Sequence, residues 1–230
     1  MPTPPHAPIL AIDTAGAVAS VALVTSQASG AIRRVPQRES SKSLLRLVDE
    51  VLQESGLELA EIGGIAAARG PGSFTGLRVG LATALGLAQS TALPAAAVPT
   101  LEAIAESARG QATKILAVLD AHREHWFAQS FRLDPEAPPE PCSPLEAATR
   151  ISATELLATR ELSNVQLVGA NAAPLEEAFG AALDSAAGAE AVARVALRRP
   201  ELWNLDLLTR PLYLLPPPAT PPRPRRAPGG

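Results

Sequence analysis

Residues 69–80 of this chain read Arg-Gly-Pro-Gly-Ser-Phe-Thr-Gly-Leu-Arg-Val-Gly, a glycine-rich turn between an apolar run and a long stretch of small residues. That order describes a strand handing over to a helix, the connection of an α/β fold. The turn has the look of a phosphate loop and fails both standard tests. A Walker loop needs a lysine and a Ser or Thr after its last glycine, and here Gly76 is followed by Leu77 and Arg78. A dinucleotide fingerprint needs its third glycine at position 75, which is Thr. What remains is local physics: Gly70 and Gly72 tolerate positive φ, Pro71 fixes its own φ, and Ser73 or Thr75 can cap the following helix. The turn is either purely structural or, through the exposed helix N-terminus, an anion site. The candidate anion or nucleotide-loop residues are Gly70, Gly72, Ser73 and Thr75, with Asp13 and Thr14 at the end of the first apolar strand.

Composition narrows the classes. An apolar content of 47% in 230 residues is ample for a packed core in one or two domains. A formal charge of −3 argues against a protein that grips nucleic acid by itself, so any RNA role needs a partner. The single cysteine, Cys142, excludes an internal disulfide and a cysteine-rich metal site, and reads as an inert thiol in a reducing compartment. The amino terminus lacks the basic and apolar regions of a secretion signal, and no apolar run reaches transmembrane length, so a cytoplasmic protein without membrane contact is expected. Only two of the 20 basic residues are lysine, Lys42 and Lys114, a coding bias of GC-rich genomes.

Along the chain, 9–13 reads as a buried strand and 18–24 as its hairpin partner across Gly16, with a third short strand at 32–35. Ser40 to Ser43 offers N-caps for a helix over 44–52, whose apolar positions 44, 45, 48, 51 and 52 stop at Gly56. A strand at 62–68, the glycine turn, a helix over 75–89 and a strand at 95–98 complete a β-β-β-α-β-α-β series. A fainter copy follows: a strand at 115–120 ending in Asp120, a hairpin partner at 125–131, a proline-rich loop at 135–144, a helix over 154–162, a strand at 165–168 and a helix over 174–183. The expected division is an N-terminal half at 1–104, a C-terminal half at 105–215 and a tail at 216–230. That tail, rich in Pro with Arg223, Arg225 and Arg226, reads as an extended, mostly disordered solubilising segment.

Two copies of one αβ unit, each with an acidic residue closing its first strand, point to the actin-like architecture, in which ATP lies between the halves. There a glycine follows the second Asp closely and a double glycine contacts the adenosine; this chain has Asp120-Ala121-His122 and Gly169-Ala170-Asn171. A side chain at 122 obstructs the backbone approach that glycine permits, so the second half reads as degraded.

With the loop, the helices and the paired Asp strands in view, the chain resembles the bacterial TsaB family, formerly YeaZ. Residues 69–80 match that family's signature over its whole length. Supporting matches are 10–14, the helix over 44–56, Leu119-Asp120-Ala121 and Pro211-Leu212-Tyr213-Leu214, in the family's order across 9–215. The resemblance implies an actin-like duplicated unit with a degenerate second half. It also implies a non-catalytic partner of TsaD, required with the ATPase TsaE to place a threonylcarbamoyl group on the adenosine beside the anticodon in tRNAs reading ANN codons. TsaD-like proteins carry a His-x-x-x-His metal pair after the strand that follows the glycine loop. Laying 94–98 on that strand puts Thr100 and Ile104 at those positions, which leaves no metal site. His122 and His125 lie in a turn and strand, where they point to opposite sides, and read as exposed polar residues. The chain departs from the family at 122–125, at Ser41-Lys42 and at Leu215, so contacts made there do not carry over.

Gly76, Gly80 and Ala84 recur at i+4 with Thr83 and Leu87 beside them, a small-residue row that serves either a partner helix or the chain's own sheet. The resemblance selects the partner, because TsaB proteins pair with TsaD and with themselves through their first two helices. The partner-binding residues are then Leu44, Leu45, Val48, Leu52, Gly76, Val79, Gly80, Thr83 and Leu87. It further implies no cofactor on this chain alone, with ATP or ADP and a metal in TsaD or at the joint surface, and tRNA contact only through the complex. Two enzyme readings stay beside it: an autonomous ATP-dependent kinase of the same fold, and a glycoprotease, the superfamily's older label.

Overall fold

The computed structural model describes residues 8–25, 29–133, 142–159, 165–170, 172–183 and 188–214. The tail at 216–230, Leu215, Asn171 and most of the proline-rich loop lie outside the described residues. The first sheet is built from β1 (Ile9–Asp13), β2 (Val18–Val24) and β3 (Ser29–Pro36), a meander joined in antiparallel register. The helix α1 (Ser40–Ser55) carries the chain to β4 (Gly64–Gly70), and α2 (Phe74–Thr91) carries it to β5 (Ala95–Pro99). Both β4 and β5 run parallel to β1, which gives the order β3-β2-β1-β4-β5. Parallel neighbours need crossover helices, and the two helices supply them.

The expected capping of α1 by serine does not occur. A single 3-10 turn at Gln37–Glu39 runs straight into the helix, the N-cap is Glu39 without a side-chain bond, and Ser40 is buried. The C-terminus follows expectation: Gly56 sits at φ 65°, and the Leu57 amide donates to the Leu52 carbonyl.

A helix not legible in the periodicity follows, α3 (Thr100–Ser107), buried nearly all round. The second sheet comprises β6 (Lys114–Asp120), β7 (His125–Arg132), the short β8 (Ser143–Pro144) and β9 (Thr149–Ser152). After α4 (Ala153–Thr159), β10 (Gln166–Val168) joins β6 in parallel, and α5 (Ala173–Phe179) follows. The order β10-β6-β7, with β8 and β9 both paired to β7, repeats the first sheet strand for strand: β6 stands for β1, β7 for β2, β8 and β9 for β3, β10 for β4. In the place of β5 the described residues keep only Leu183, a single parallel bridge to Val168 of β10. This is a duplicated actin-like unit whose second copy is eroded at its edge.

The division at 104 does not describe the packing. The last helix, α6 (Gly188–Arg198), belongs by sequence to the second half, yet Ala189, Ala191, Val192, Val195 and Ala196 cover a face of the first sheet. That face presents Ile9, Ala11, Ala22, Val24, Ala66 and Val98, which need an apolar cover. Trp203 follows α6 back onto the first sheet, where a Cβ on Gly64 would fall 2.5 Å from its ring. The opposite face is covered by α1 and α2, whereas α3 packs on the second sheet through Leu101, Ile104 and Ala105. The two halves therefore meet helix on helix, α6 against α3.

Charge fills that seam. Glu106, buried on α3, accepts from Arg109 at 2.9 Å and pairs with Arg198 of α6; buried Glu102 accepts from Arg199 at 2.7 Å. Burial raises the Glu102 carboxyl to about 7, and the Arg199 guanidinium opposes that rise. The Cys142 thiol donates to Glu106 at 3.4 Å and is pushed up by burial and by that carboxylate, consistent with the inert thiol expected.

Candidate functional site: the interdomain cleft and the glycine turn

The carboxyl ends of β1, β4 and β6 open on one cleft of about 450 Å³ between the halves, where open α/β sheets commonly bind ligands. Its floor on the first half is a knot of backbone contacts. Asp13 is buried, its Oδ1 accepting the Ala15 N–H at 2.9 Å; burial lifts its carboxyl to about 6 against the pull of the Ala15 and Gly188 amides. The Thr14 hydroxyl, fully buried, donates to the Gly76 carbonyl at 2.8 Å, and the Ala15 carbonyl accepts the Ser73 N–H at 2.8 Å.

This geometry settles what the glycines do. Gly70 sits at φ 110°, and a Cβ there would fall 2.4 Å from the Leu212 carbonyl oxygen, since Leu212 donates to the Arg69 carbonyl at 2.7 Å. A Cβ on Gly72 would lie 2.6 Å from the Ala15 oxygen. Two of the loop's amides are committed as well: Gly70 N–H goes to Thr100 Oγ1 at 3.2 Å and Gly76 N–H to Ser73 Oγ at 3.2 Å. Of the two capping candidates, Ser73 is the N-cap of α2. The structure divides the six anion-site candidates. Gly72, Ser73 and Thr75 do reach the cleft lining, but Gly70 and Thr14 are spent on internal bonds, and Asp13 beneath them is acidic.

The partner row divides in the same way. Gly76 and Gly80 do not face outward: a Cβ at Gly76 would fall 2.1 Å from the Thr14 carbonyl oxygen, and one at Gly80 would fall 2.3 Å from its hydroxyl. The two glycines let α2 rest on the end of β1, and Ala84 continues the buried row. Leu44, Val48 and Leu52 are buried in the core beneath α1, with Leu47 and Val51 beside them. Leu45 alone among the predicted α1 residues is open, 60% exposed, while Val79, Thr83 and Leu87 are half-buried. On α2 the glycine with open space around it is one that sequence reasoning passed over, Gly86, where an added Cβ meets nothing within 4 Å.

Across the cleft, Asp120 is half exposed and accepts the His122 N–H at 2.7 Å. His122, Arg123 and Glu124 all take left-handed φ between 55° and 62°, so the turn keeps a glycine-like backbone while carrying three side chains. The two histidines do not converge: His122 leans on Asp120, and His125 Nδ1 contacts the Arg123 carbonyl at 2.7 Å. A Cβ on Gly169 would fall 2.3 Å from the Val118 oxygen, so this glycine lets β10 approach β6. The lining contains no Lys or Arg among the described residues, and its one carboxylate is Asp120. The described lining therefore offers a polyphosphate no lysine or arginine side chain. Nor do the two positions aligned with a metal pair fit a metal, for Thr100 Oγ1 holds the Gly70 amide and Ile104 is buried in the core.

Three side chains given no site role from sequence, Phe74, Arg78 and Tyr213, meet at the rim. The Tyr213 ring lies 5.0 Å from that of Phe74, the Arg78 guanidinium sits 3.8 Å above the Phe74 centroid, and Arg78 Nε donates to the Tyr213 hydroxyl at 3.3 Å. The Arg in the signature stretch and the Pro-x-Tyr motif were both visible; their mutual contact was not.

No helix among the described residues is long and apolar enough to cross a membrane. The family model for TsaD, tRNA N6-adenosine threonylcarbamoyltransferase, matches residues 16–194. The chain is 40% identical over 127 residues to a tRNA threonylcarbamoyladenosine biosynthesis protein TsaB of Haemophilus influenzae, covering 54% of each. It is 39% identical over 128 residues to the protein of that name in Escherichia coli, covering 55% of each. The chain thus spans about half the length of these relatives. The solved structure of YeaZ from Pseudomonas aeruginosa superposes with a TM-score of 0.76 at 24% identity, over 90% of this chain and all of that one, a likeness of fold. With the glycine turn, the paired Asp strands and the duplicated sheet in place, these matches assign the chain to the TsaB (YeaZ) family.

Proposed function

We propose that this chain is the non-catalytic subunit of the system that forms threonylcarbamoyladenosine beside the anticodon of tRNAs reading ANN codons, activating a TsaD-type catalytic subunit together with TsaE. The observation that carries this reading is the pair Thr100 and Ile104. The transferase family model runs through both, yet one side chain braces the glycine turn and the other fills the core. The cleft supports the same division of labour, because its described lining is mainly apolar, with one carboxylate and no lysine or arginine. Nucleotide and metal then belong to the partner or to the joint surface, and tRNA is met through the complex.

The surface offered to the partner is the outward side of α1 and α2: Leu45, Val79, Ala82, Thr83, Gly86 and Leu87. Small side chains there let another helix approach closely, and a second copy of this chain can use the same face.

Reconstitution tests the reading. Purified TsaD and TsaE with TsaC, the separate synthase that makes the threonylcarbamoyl donor, and with tRNA and substrates supplied, are expected to make threonylcarbamoyladenosine only when this chain is added. Equal product without it would overturn the proposal. Tight binding of ATP-Mg to the isolated chain by calorimetry would favour the kinase reading instead.

A further inference from the structure

Apolar side chains wall the interdomain cleft: Phe74, Phe127 and Tyr213, with Leu119, Leu212 and Leu214. Stacking and the Arg78 contacts hold the Phe74–Tyr213 pair in place, so the aromatic wall is preformed. The one carboxylate on the described lining is Asp120, half exposed. Grooves of this kind, aromatic with an acidic group at the rim, suit an extended proline-rich segment carrying arginine. The sequence contains such a segment. Residues 216–226 read Pro-Pro-Pro-Ala-Thr-Pro-Pro-Arg-Pro-Arg-Arg, with prolines three apart at 218, 221 and 224. It begins two positions beyond Leu214, which itself lines the cleft.

We propose that the cleft is the docking groove of the chain's own segment 215–226. Reach is no obstacle, since six residues of polyproline helix span about 19 Å. A short tether supplies an effective concentration on the order of millimolar, so a weak contact suffices to fill the groove. The inference is independent of any role in tRNA modification.

Tyr213 is the chain's one tyrosine, so fluorotyrosine labelling places a single ¹⁹F reporter in the cleft wall. Three full-length or shortened proteins are compared: the whole chain, a whole-length chain with 216–226 replaced by Gly and Ser, and a chain ending at Leu215. The whole chain is expected to give a resonance distinct from the other two. A synthetic peptide of residues 215–226, at millimolar concentration, should move the shortened chain's resonance toward that of the whole chain and leave the whole chain's unmoved. Asp120→Asn should weaken that response several-fold at low salt. An identical resonance in the whole and Gly/Ser chains overturns the proposal, as does a shortened chain that ignores the peptide. A resonance that depends on protein concentration also overturns it, because the segment then enters a second copy.

Discussion

At the scale of single residues, the end of β1 does the most. Asp13, Thr14 and Ala15 hold, in turn, their own turn, the α2 backbone at Gly76 and the glycine loop at Ser73. Asp13 is the least comfortable of the three, because burial lifts its carboxyl from 3.8 to about 6. Since the folded value lies above the unfolded one, the native state holds the proton more tightly. Its stabilising contribution is complete below pH 3.8 and is lost as pH climbs through about 6. Over that window the native state should weaken by about 3 kcal/mol on this account. Asp13→Asn keeps an oxygen for the Ala15 amide and removes the titration. Urea midpoints at pH 4 and pH 7 should therefore differ less in the variant than in the parent. Glu102, raised to about 7, titrates in both proteins, so the difference between them isolates Asp13. Equal pH dependence in the two would contradict the assignment.

At the scale of elements, α2 shows how much of the site is legible in a chain. Its start, its glycine turn and its Ser73 cap follow from local chemistry, as do the Asp-terminated strands. Which way its glycines face does not. Spacing gives a row at 76, 80 and 84, and rows at i+4 lie on one face whether that face is buried or open. The decision lies with Thr14, sixty-odd positions away, whose hydroxyl occupies the space above Gly80. Leu45 is the matching case on α1: grouped by spacing with Leu44, Val48 and Leu52, it is exposed while those three and Leu47 are buried. Gly80→Ala should cost about 1–3 kcal/mol in urea unfolding by overpacking against Thr14. Gly86→Ala, in open space on the same helix, should stabilise the chain by about 0.5–1 kcal/mol. Gly86→Arg should leave the fold intact and abolish co-purification with a TsaD-type partner. Recovery of that variant with the partner at wild-type yield would remove Gly86 from the interface.

For the whole molecule, the joint between halves is the telling feature. The α6 helix crosses back to cover the first sheet, and α3 covers the second, so the seam is helical and carries buried charge. Glu106 has 1% of its side chain exposed and is met by Arg109 and Arg198. Removing one partner of a buried ion pair leaves the other uncompensated. Glu106→Ala should cost about 3–5 kcal/mol and uncouple the halves, visible as two unfolding transitions where the parent has one. A single transition with an unchanged midpoint would show that the seam is held by its apolar contacts alone.

By itself, the sequence determined the α/β character, the two Asp-ended strands, the glycine turn with its helix, and the fading of the second copy. Each of these rests on residues within a dozen positions of one another, where backbone preference and periodicity act. Only the tertiary structure decided that α6 belongs to the first half, that the small-residue row of α2 is buried, and that Arg78, Phe74 and Tyr213 form one wall of the cleft. Those outcomes depend on which apolar face lacks a cover and which distant side chain reaches it first, quantities set by packing across the whole chain.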